Sequence, residues 1–310
     1  MRIRKAQSLD KYVVLKFCKD TFEWGDYIGT VWDFWLTDTS GVLLVVDNPD
    51  SRTPNYNPVA IAHISVCQND LLWIEGIRVD KLYRNKGIGT HLLQYMVKYG
   101  IENGLGESCA SIAQSNVNSR KIFEKQGFSQ NCIYAYYNVK LKKKLKFANS
   151  PLVLKYACLG DLQLVYDYLN NSQIHLEKNN RYFNEWRFFK LENTFDCICN
   201  LIDKKKLVLI VDKNSKICGL SIINILDGKN TFYSEPLLQV CYLDCINNQM
   251  LYDSVYLILG TLIDYNKHKY VQFFVDGSVD LHPLLNDDNY KSNYDIDFFE
   301  RFIIYCKKLK

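Results

Sequence analysis

The sequence has little proline, little net charge and no long apolar run, and each absence excludes a class of protein. Only 6 of its 310 residues are proline and 48% are hydrophobic, which is the composition of a folded chain rather than a disordered one. The formal net charge of +4, from 38 basic and 34 acidic residues, provides no polycationic face for nucleic acid. No run of about 18 apolar residues occurs, and the first residues lack the apolar core of a signal peptide. We therefore predict a soluble, cytoplasmic protein that binds neither nucleic acid nor membrane.

The chain also lacks the cysteine and histidine spacing of a metal site. Its 11 cysteines are scattered through apolar segments, and the pairs Cys197/Cys199 and Cys241/Cys245 do not combine into the sets that tetrahedral zinc requires. We predict reduced, buried thiols and no metal. His63, alone in the apolar run VAIAHISVC, is predicted to be a structural histidine.

Strand-like and helix-like patterns follow the same order in both halves of the chain. In the first half a strand and two helices precede three β-branched runs, which predict an antiparallel meander, and then a helix, a strand, a helix and a strand. The second half repeats this order without repeating residue identities. The basic segment from Lys140 is predicted to be a strand end running into a linker, rather than a membrane or nucleic-acid patch. These patterns predict two domains, residues 1–145 and 151–310.

The sequence RNKGIGT, from Arg84 to Thr90, stands between the fourth strand and the following helix of the first half. It is not the phosphate loop of an NTPase, because Lys86 precedes Gly87 instead of following the second glycine. It is not a dinucleotide fingerprint either, because Leu92 occupies the place of the third glycine and the preceding meander is not a parallel βαβ unit.

Two segments, IRVDKLYRNKGIGTHLL and NVNSRKIFEKQGF, together resemble the motifs of the GNAT superfamily of acetyl-CoA-dependent N-acetyltransferases. The resemblance covers residues 1 to about 145. It implies an α+β (mixed α/β) fold with a mixed, mostly antiparallel sheet flanked by helices, duplicated here as two tandem GNAT-like domains. The second half has NNQMLYD where the loop would stand, so we predict one coenzyme A site per chain.

The resemblance also implies which residues bind acetyl-CoA. One strand edge pairs with the pantetheine arm, loop amides and a helix N-terminus hold the pyrophosphate, and the second motif lines the other side. The cofactor-binding residues implied in this way are Ile77, Arg78, Val79, Arg84, Asn85, Lys86, Gly87, Ile88, Gly89, Thr90, Asn116 and Ser119.

Glu75 is the predicted catalytic base. By resemblance the reaction is direct acetyl transfer to a primary amine, with coenzyme A as product, and an alkylamine needs a base because it is mostly protonated at neutral pH. Glu75 stands in the otherwise apolar strand LLWIEGIRV, where a carboxylate must be solvated, paired or functional. The alternative is an ion pair, for example with Arg78 or with a residue of a neighbouring strand. Gly76 suits the β-bulge that the resemblance implies here.

The family's usual general acid is missing. Members often carry a tyrosine where this chain has Phe123. The departure leaves three alternatives: no dedicated acid, a water molecule, or another tyrosine such as Tyr134, Tyr136 or Tyr137. A thiol with a pKa near 8.5 is a tolerable leaving group, so activity does not require the acid.

The acceptor is predicted to bind near TFEWGDYIGTVWDFWL. Glu23, Trp24, Asp26 and Tyr27 are the predicted acceptor-binding residues, because carboxylates with aromatic rings suit a cationic amine. The helical spacing of Trp32 and Trp35 predicts core positions instead.

A small amine or amino acid is the predicted acceptor, and the chain is predicted to be a monomer or weak dimer. Two alternatives stay open: a protein lysine or N-terminal acetyltransferase, and a non-catalytic acyl-CoA-binding sensor.

Overall fold

The computed structural model describes residues 1–19, 21–22, 25–48, 57–67, 70–144, 150–177, 180–227, 236–263, 267–285 and 291–309. The chain divides into two compact units. Unit 1 contains Met1–Asn131 and the C-terminal residues from Ile303, and unit 2 contains most residues between Cys132 and Phe302. The predicted linker residues 145–149 lie outside the described residues. The division into domains at 145 and 151 stays a prediction.

Unit 1 has the predicted order of strands and helices. Its strands are β1 (Ile3–Lys5), β2 (Gly41–Asp47), β3 (Pro58–Cys67), β4 (Leu71–Val79) and β5 (Glu107–Ala113). Its helices are α1 (Lys11–Cys18), α2 (Ile28–Leu36), α3 (Ile88–Glu102) and α4 (Val117–Lys125). The strands lie in the order β1-β2-β3-β4-β5, and the end of the last strand of the chain, β14 (Tyr294–Lys308), follows β5. Strands β1 to β4 are antiparallel and β5 is parallel to β4, which confirms the predicted meander.

The sheet of unit 1 separates two hydrophobic cores. Neighbouring residues of one strand point to opposite faces: Leu44 belongs to the core that contains α3 and α4, and Leu43 to the core that contains α1 and α2. Trp32 and Trp35 are buried in the second core, as their spacing predicted.

Unit 2 repeats the order of unit 1 with additions. Its strands are β6 (Ser129–Leu141), β7 (Leu152–Tyr156), β8 (Arg181–Asn184), β9 (Arg187–Lys190), β10 (Leu207–Asp212), β11 (Ile217–Leu226), β12 (Leu237–Cys245) and β13 (Tyr270–Asp276). Its helices are α5 (Leu162–Asn171), α6 (Gln173–Glu177), α7 (Phe195–Asp203), α8 (Asn248–Leu257) and α9 (His282–Leu285). The strand order is β6-β13-β12-β11-β10-β7. Strand β12 is parallel to β13 and the other pairs are antiparallel.

The prediction of reduced thiols is wrong for one pair. Cys109 and Cys306 form a disulfide within unit 1, although 197 residues separate them in sequence. Sequence spacing could not reveal this pair, because only the placement of β14 beside β5 brings it together. Cys218 and Cys241, by contrast, are buried thiols.

Among the described residues, no helix combines the length and the apolarity needed to cross a membrane.

Candidate functional site

A gap opens between two parallel strands of unit 1. The register pairs Leu71–Trp73 of β4 with Glu107–Cys109 of β5, and the pairing of these two fully described strands goes no further. The remaining residues of β4, up to Val79, therefore present a strand edge to the gap. An extended ligand with amide groups can hydrogen-bond to such an edge as an added strand.

A β-bulge lies where the gap opens. Opposite β3, the register shifts so that Gly76 and Ile77 face a single residue. Gly76 has a φ of +68°, and a Cβ atom there would lie 2.5 Å from the Trp35 ring. Glycine is therefore required for both backbone conformation and space. The predicted bulge is present, next to Glu75.

The segment Arg84–Thr90 joins β4 to α3. Asn85 and Gly87 have positive φ values of 62° and 78°, and such turns point successive N–H groups into one concave surface. The segment leads directly into the N-terminus of α3 at Ile88, where the helix dipole favours an anion. Arg84 to Gly87 are exposed. This arrangement fits a pyrophosphate.

The basic side chains of this segment have contacts within unit 1. Arg84 Nε donates to the carbonyl oxygen of Val79 at 3.0 Å. The ammonium group of Lys86 lies 4.8 Å from the centre of the Tyr83 ring. Both side chains are exposed, so they remain available to add charge near the loop.

Asn116 caps α4. Its side-chain oxygen accepts a hydrogen bond from the backbone N–H of Ser119 at 3.1 Å, which satisfies one donor at the start of the helix. The interaction of Asn116 with a cofactor stays a prediction.

The Glu75 carboxylate contacts a histidine, not the arginine that the sequence offered as a structural partner. Its Oε1 lies 2.9 Å from Nδ1 of His63 on β3. The Glu75 side chain is 16% exposed and the His63 side chain is fully buried. Arg78 pairs with Asp26 instead, at 2.7 Å.

Arg78 and Asp26 form the centre of a buried cluster at the start of α2. The guanidinium group lies 4.9 Å from the ring centre of Phe22 and 5.1 Å from that of Tyr27. Asp26 also accepts a hydrogen bond from the N–H of Ile28 at 3.1 Å. Burial alone would lower the pKa of Arg78, but Tyr27 and Asp26 raise it overall. Burial raises the pKa of Tyr27, and nearby carboxylates add to this effect while Arg78 opposes it.

Two of the predicted acceptor-binding residues, Glu23 and Trp24, lie outside the described residues. Of the other two, Asp26 is held by Arg78, and the Tyr27 ring makes an edge contact with Trp35 at 6.0 Å between ring centres.

Phe123 is part of the hydrophobic core of unit 1. It is 4% exposed, and its ring centre lies 4.9 Å from that of Phe128 and 6.4 Å from that of Tyr305. The Tyr305 hydroxyl donates to Glu124 at 2.6 Å.

The tyrosines named as alternatives lie in unit 2. Tyr134 donates to the carbonyl oxygen of Arg181, and Tyr137 accepts from the N–H of Leu281. Tyr136 is buried among aromatic rings that include Trp186.

Sequence reasoning missed two residues at this point of the site: His63, which lies beside Glu75, and Asp38, which lies on the other side of the His63 ring. His63 was assigned to packing because it stands alone in an apolar strand. A signal was present, since alternation along β3 places His63 on the same face as Ile61 and therefore towards α2. The sequence could not show that His63 pairs with Glu75, because this pairing depends on the register shift at the bulge.

Comparisons with known proteins agree with this geometry. Residues 10–128 match the model of the acetyltransferase (GNAT) family, whereas a comparison with curated proteins gives no match. A GCN5-related N-acetyltransferase from Sphaerobacter thermophilus is 12% identical, with a TM-score of 0.62 over 100% of this chain and 96% of that one. A tandem GNAT protein from the clavulanic acid biosynthesis pathway is 9% identical, with a TM-score of 0.51 over 100% and 98%. A glucosamine N-acetyltransferase region of a fungal multi-domain β-N-acetylglucosaminidase is 10% identical, with a TM-score of 0.61 over 99% of this chain and 38% of that one.

At these identities the solved structures show the fold alone, and the family model matches residues 10–128, which is less than half of the chain. Both confirm the predictions of a GNAT-like motif and of a mixed, mostly antiparallel sheet flanked by helices, duplicated in tandem. The family transfers acyl groups from acetyl-CoA. Residues 10–128 of this chain therefore match the acetyltransferase (GNAT) family, within a fold that solved GNAT structures share along its whole length.

Proposed function

We propose that unit 1 transfers an acetyl group from acetyl-CoA directly to the primary amine of a small amine or amino acid. The observation that carries this proposal is the gap between β4 and β5, which opens beside the Glu75 carboxylate and leads to the loop before α3. A thioester placed in the gap would lie between a base and a pyrophosphate-binding loop, which is the arrangement that direct transfer requires.

Acetyl-CoA would bind in an extended form along β4. The amides of its pantetheine arm would pair with the strand edge at Ile77 and Val79, and its pyrophosphate would accept hydrogen bonds from N–H groups between Asn85 and Thr90. Arg84 and Lys86 would add positive charge, and Asn116 and Ser119 would line the opposite side. The main-chain atoms of Arg78 would continue the strand, while its side chain stays with Asp26.

Glu75 would take a proton from the attacking amine. At pH 7 only about one part in a thousand of an alkylamine is neutral, which is a deficit of roughly 4 kcal/mol that a base helps to offset. The thiolate of coenzyme A would leave without a dedicated acid, since Phe123 has no hydroxyl group. The leaving group tolerates this, because its pKa is in the range of a free thiol, near 8.5.

Charge around Glu75 favours an amine as the acceptor. Arg78 neutralises Asp26. Among the described side chains beside the gap, Glu75, with Asp38 behind its histidine neighbour, would supply the negative charge that attracts a cation. The rings of Phe22 and Tyr27 that enclose Arg78 form an aromatic wall on the same side. Glu23 and Trp24, which the sequence predicts to bind the acceptor, would add a further carboxylate and a further aromatic ring.

Unit 2 supports a single cofactor site per chain. In unit 1 the eight residues Asp80–Gly87 separate β4 from α3, whereas in unit 2 only Ile246 and Asn247 separate β12 from α8. Asn247 caps that helix itself by accepting from the N–H of Met250 at 2.9 Å. A loop for a pyrophosphate does not fit in two residues.

Release of coenzyme A from acetyl-CoA over a panel of acceptors tests the proposal. The panel contains amino acids, polyamines, glucosamine, which one of the similar structures is described as acetylating, and a lysine-containing peptide. We expect turnover with free amines and a steep loss of kcat in Glu75→Gln. The control Glu102→Gln changes an exposed carboxylate of the same unit and should leave kcat unchanged.

Three outcomes would contradict the proposal. Turnover of the peptide alone would identify a protein acetyltransferase, and tight acetyl-CoA binding without any turnover would identify a sensor. A Glu75→Gln variant with an unchanged pH–rate profile would remove Glu75 from the chemistry.

A further inference from the structure

We propose that His63 is a positioning residue of the transfer reaction: fixed between Asp38 and Glu75, it holds the Glu75 carboxylate in place through one of its oxygens. This inference rests on the proposed function of Glu75.

His63 lies between two carboxylates that come from different elements. Its Nδ1 is 2.9 Å from Oε1 of Glu75 on β4, and its Nε2 is 3.4 Å from Oδ2 of Asp38, which follows α2. The His63 side chain is fully buried, and the Asp38 side chain is 7% exposed. A buried ring between two carboxylates is costly to assemble, so packing alone is a poor explanation for it.

The orientation of the ring is fixed from several sides. The His63 ring stacks on Trp35, with the ring centres 4.6 Å apart and the planes 4° from parallel. Asp38 is itself held, because its Oδ1 accepts hydrogen bonds from the N–H and the hydroxyl of Ser40 at 2.9 and 2.7 Å. Gly41 leaves the space for this contact, since a Cβ there would lie 2.6 Å from Asp38 Oδ2 and 2.8 Å from His63 Nε2.

The hydrogen bond from His63 orients the Glu75 carboxylate. An ionised carboxylate only accepts hydrogen bonds, so His63 donates a hydrogen bond from its Nδ1–H to Oε1. The carboxylate held in this way takes a proton from the ammonium group of the acceptor. The nitrogen lone pair freed in this way attacks the acetyl carbon. The carbon–sulfur bond then breaks, its electrons leave with the sulfur of coenzyme A, and the departing thiolate takes the second proton that the nitrogen loses on becoming an amide. The His63 proton stays on Nδ1 throughout, as expected for a residue that acts through Glu75.

Among the described residues, charged and titratable groups reach this pair from three places. Asp38 faces His63 from the segment after α2, and Glu75 faces it from β4. Tyr27, at the start of α2, is close enough for Glu75 to raise its pKa, although burial is the larger cause. Arg78 and Asp26 lie beyond Tyr27 and neutralise each other.

Three substitutions separate positioning from packing. His63→Phe keeps a ring to stack on Trp35 and removes both nitrogens, whereas His63→Asn keeps an N–H donor close to the place of Nδ1. Ser65→Ala is the matched control, because Ser65 is also buried on β3 and its hydroxyl has no hydrogen-bond partner among the described residues.

We expect His63→Phe to lower kcat by about 10- to 100-fold, the usual cost of losing a partner that orients a reacting group, without changing KM for acetyl-CoA. His63→Asn should recover a large part of kcat, and Ser65→Ala should match the wild type. In a Glu75→Gln background, His63→Phe should have no further effect, because both residues act through one carboxylate. If the loss of kcat in the double variant equalled the product of the losses in His63→Phe and Glu75→Gln, the inference would be overturned.

Nuclear magnetic resonance gives a readout that does not need turnover. A hydrogen-bonded imidazole N–H should give a downfield proton signal in the wild type and in Ser65→Ala. This signal should shift in Glu75→Gln and be absent in His63→Phe. A signal with the same chemical shift in Glu75→Gln as in the wild type would overturn the inference even in an active enzyme. Absence of turnover with every amine would overturn the proposed function instead, and with it a role for His63 in transfer.

Discussion

A substitution at Gly89 can test ligand binding without disturbing the fold. A Cβ atom there would meet nothing closer than 3.8 Å, an ordinary contact, and the backbone is in no strained region. We expect Gly89→Ala to leave stability unchanged or to raise it by less than about 1 kcal/mol. Acetyl-CoA affinity should fall about tenfold or more, since the methyl group would crowd the approach of the pyrophosphate to the loop amides.

Thermal denaturation and calorimetric titration with acetyl-CoA measure the two effects of Gly89→Ala separately. Gly87→Ala is the contrasting variant, because its φ of +78° makes a side chain costly by about 1 kcal/mol whatever binds. Unchanged affinity in Gly89→Ala would remove the pyrophosphate from this loop.

The ion pair of Asp26 and Arg78 should matter for stability. The two side chains are 2% and 13% exposed, so Asp26→Asn leaves a buried guanidinium without its counter-charge. We expect a loss of about 3 kcal/mol in the free energy of unfolding, measured by chemical denaturation. Asp33→Asn breaks the exposed pair with Lys11, in which Asp33 is 78% exposed, and should cost less than about 1 kcal/mol. Equal losses in both variants would contradict this account.

At the scale of residues, the sequence indicated where chemistry would lie but not which side chains meet. Glu75 stood out because a carboxylate in an apolar strand needs an explanation, and the glycine loop because its spacing is specific. The partners of Glu75 and Arg78 could not be predicted, since His63 and Asp26 are 12 and 52 positions away and reach them only through tertiary packing.

The bulge in β4 is the structural element on which the site depends. In Gly76→Ala, the new methyl group would collide with the Trp35 ring at a backbone φ of +68°. We expect a loss of about 2–4 kcal/mol in unfolding free energy, from strain and overpacking together, measured by chemical denaturation. In a Trp35→Leu background, which lacks the ring, Gly76→Ala should cost less unfolding free energy than it does in the wild type, because the overpacking part of the loss is absent. An additive double variant would show that the ring contact is not the cause.

At the scale of elements, periodicity predicted most strands and helices, because both sheets have regular apolar faces. It missed the hairpin of β8 and β9. At its tip Glu185 and Trp186 have positive φ values, and the N–H of Glu185 donates to Gln239 on β12 at 2.8 Å. Trp186 packs against Phe274 on β13. Such a hairpin is stabilised by the sheet beneath it, so its own sequence carries a weak signal.

The stability of the whole molecule should depend on pH through His175. Burial lowers the pKa of this side chain, in α6, to about 4 from its ordinary value of 6.5. Its ring nitrogens have no hydrogen-bond partner among the described residues. The unfolded chain therefore binds this proton more tightly than the folded one. The stability contributed by the neutral ring is complete above about pH 6.5 and is lost as the pH falls towards 4, by up to about 3 kcal/mol.

Urea denaturation at about pH 7.5 and pH 5 measures this dependence. His175→Leu keeps an apolar side chain in the same space and should flatten the pH dependence of the unfolding free energy, relative to the wild type. The same slope in both proteins would contradict the assignment.

At the scale of the whole molecule, repetition of the element order predicted two similar halves, and the structure has two compact units. Unit 1 is not contiguous in sequence. Most of β6 belongs to unit 2, and the residues from Ile303 belong to unit 1. Local sequence cannot show this, because the partners of the last strand lie about two hundred residues earlier, as the bond between Cys109 and Cys306 illustrates.

The central claim is that each chain has one acetyl-CoA site, formed by the β4 edge and the loop before α3. Calorimetric titration of the full chain with acetyl-CoA tests it most directly. The account predicts one molecule bound per chain, with affinity weakened in Gly89→Ala. Two molecules per chain, no binding, or full binding in that variant would contradict it.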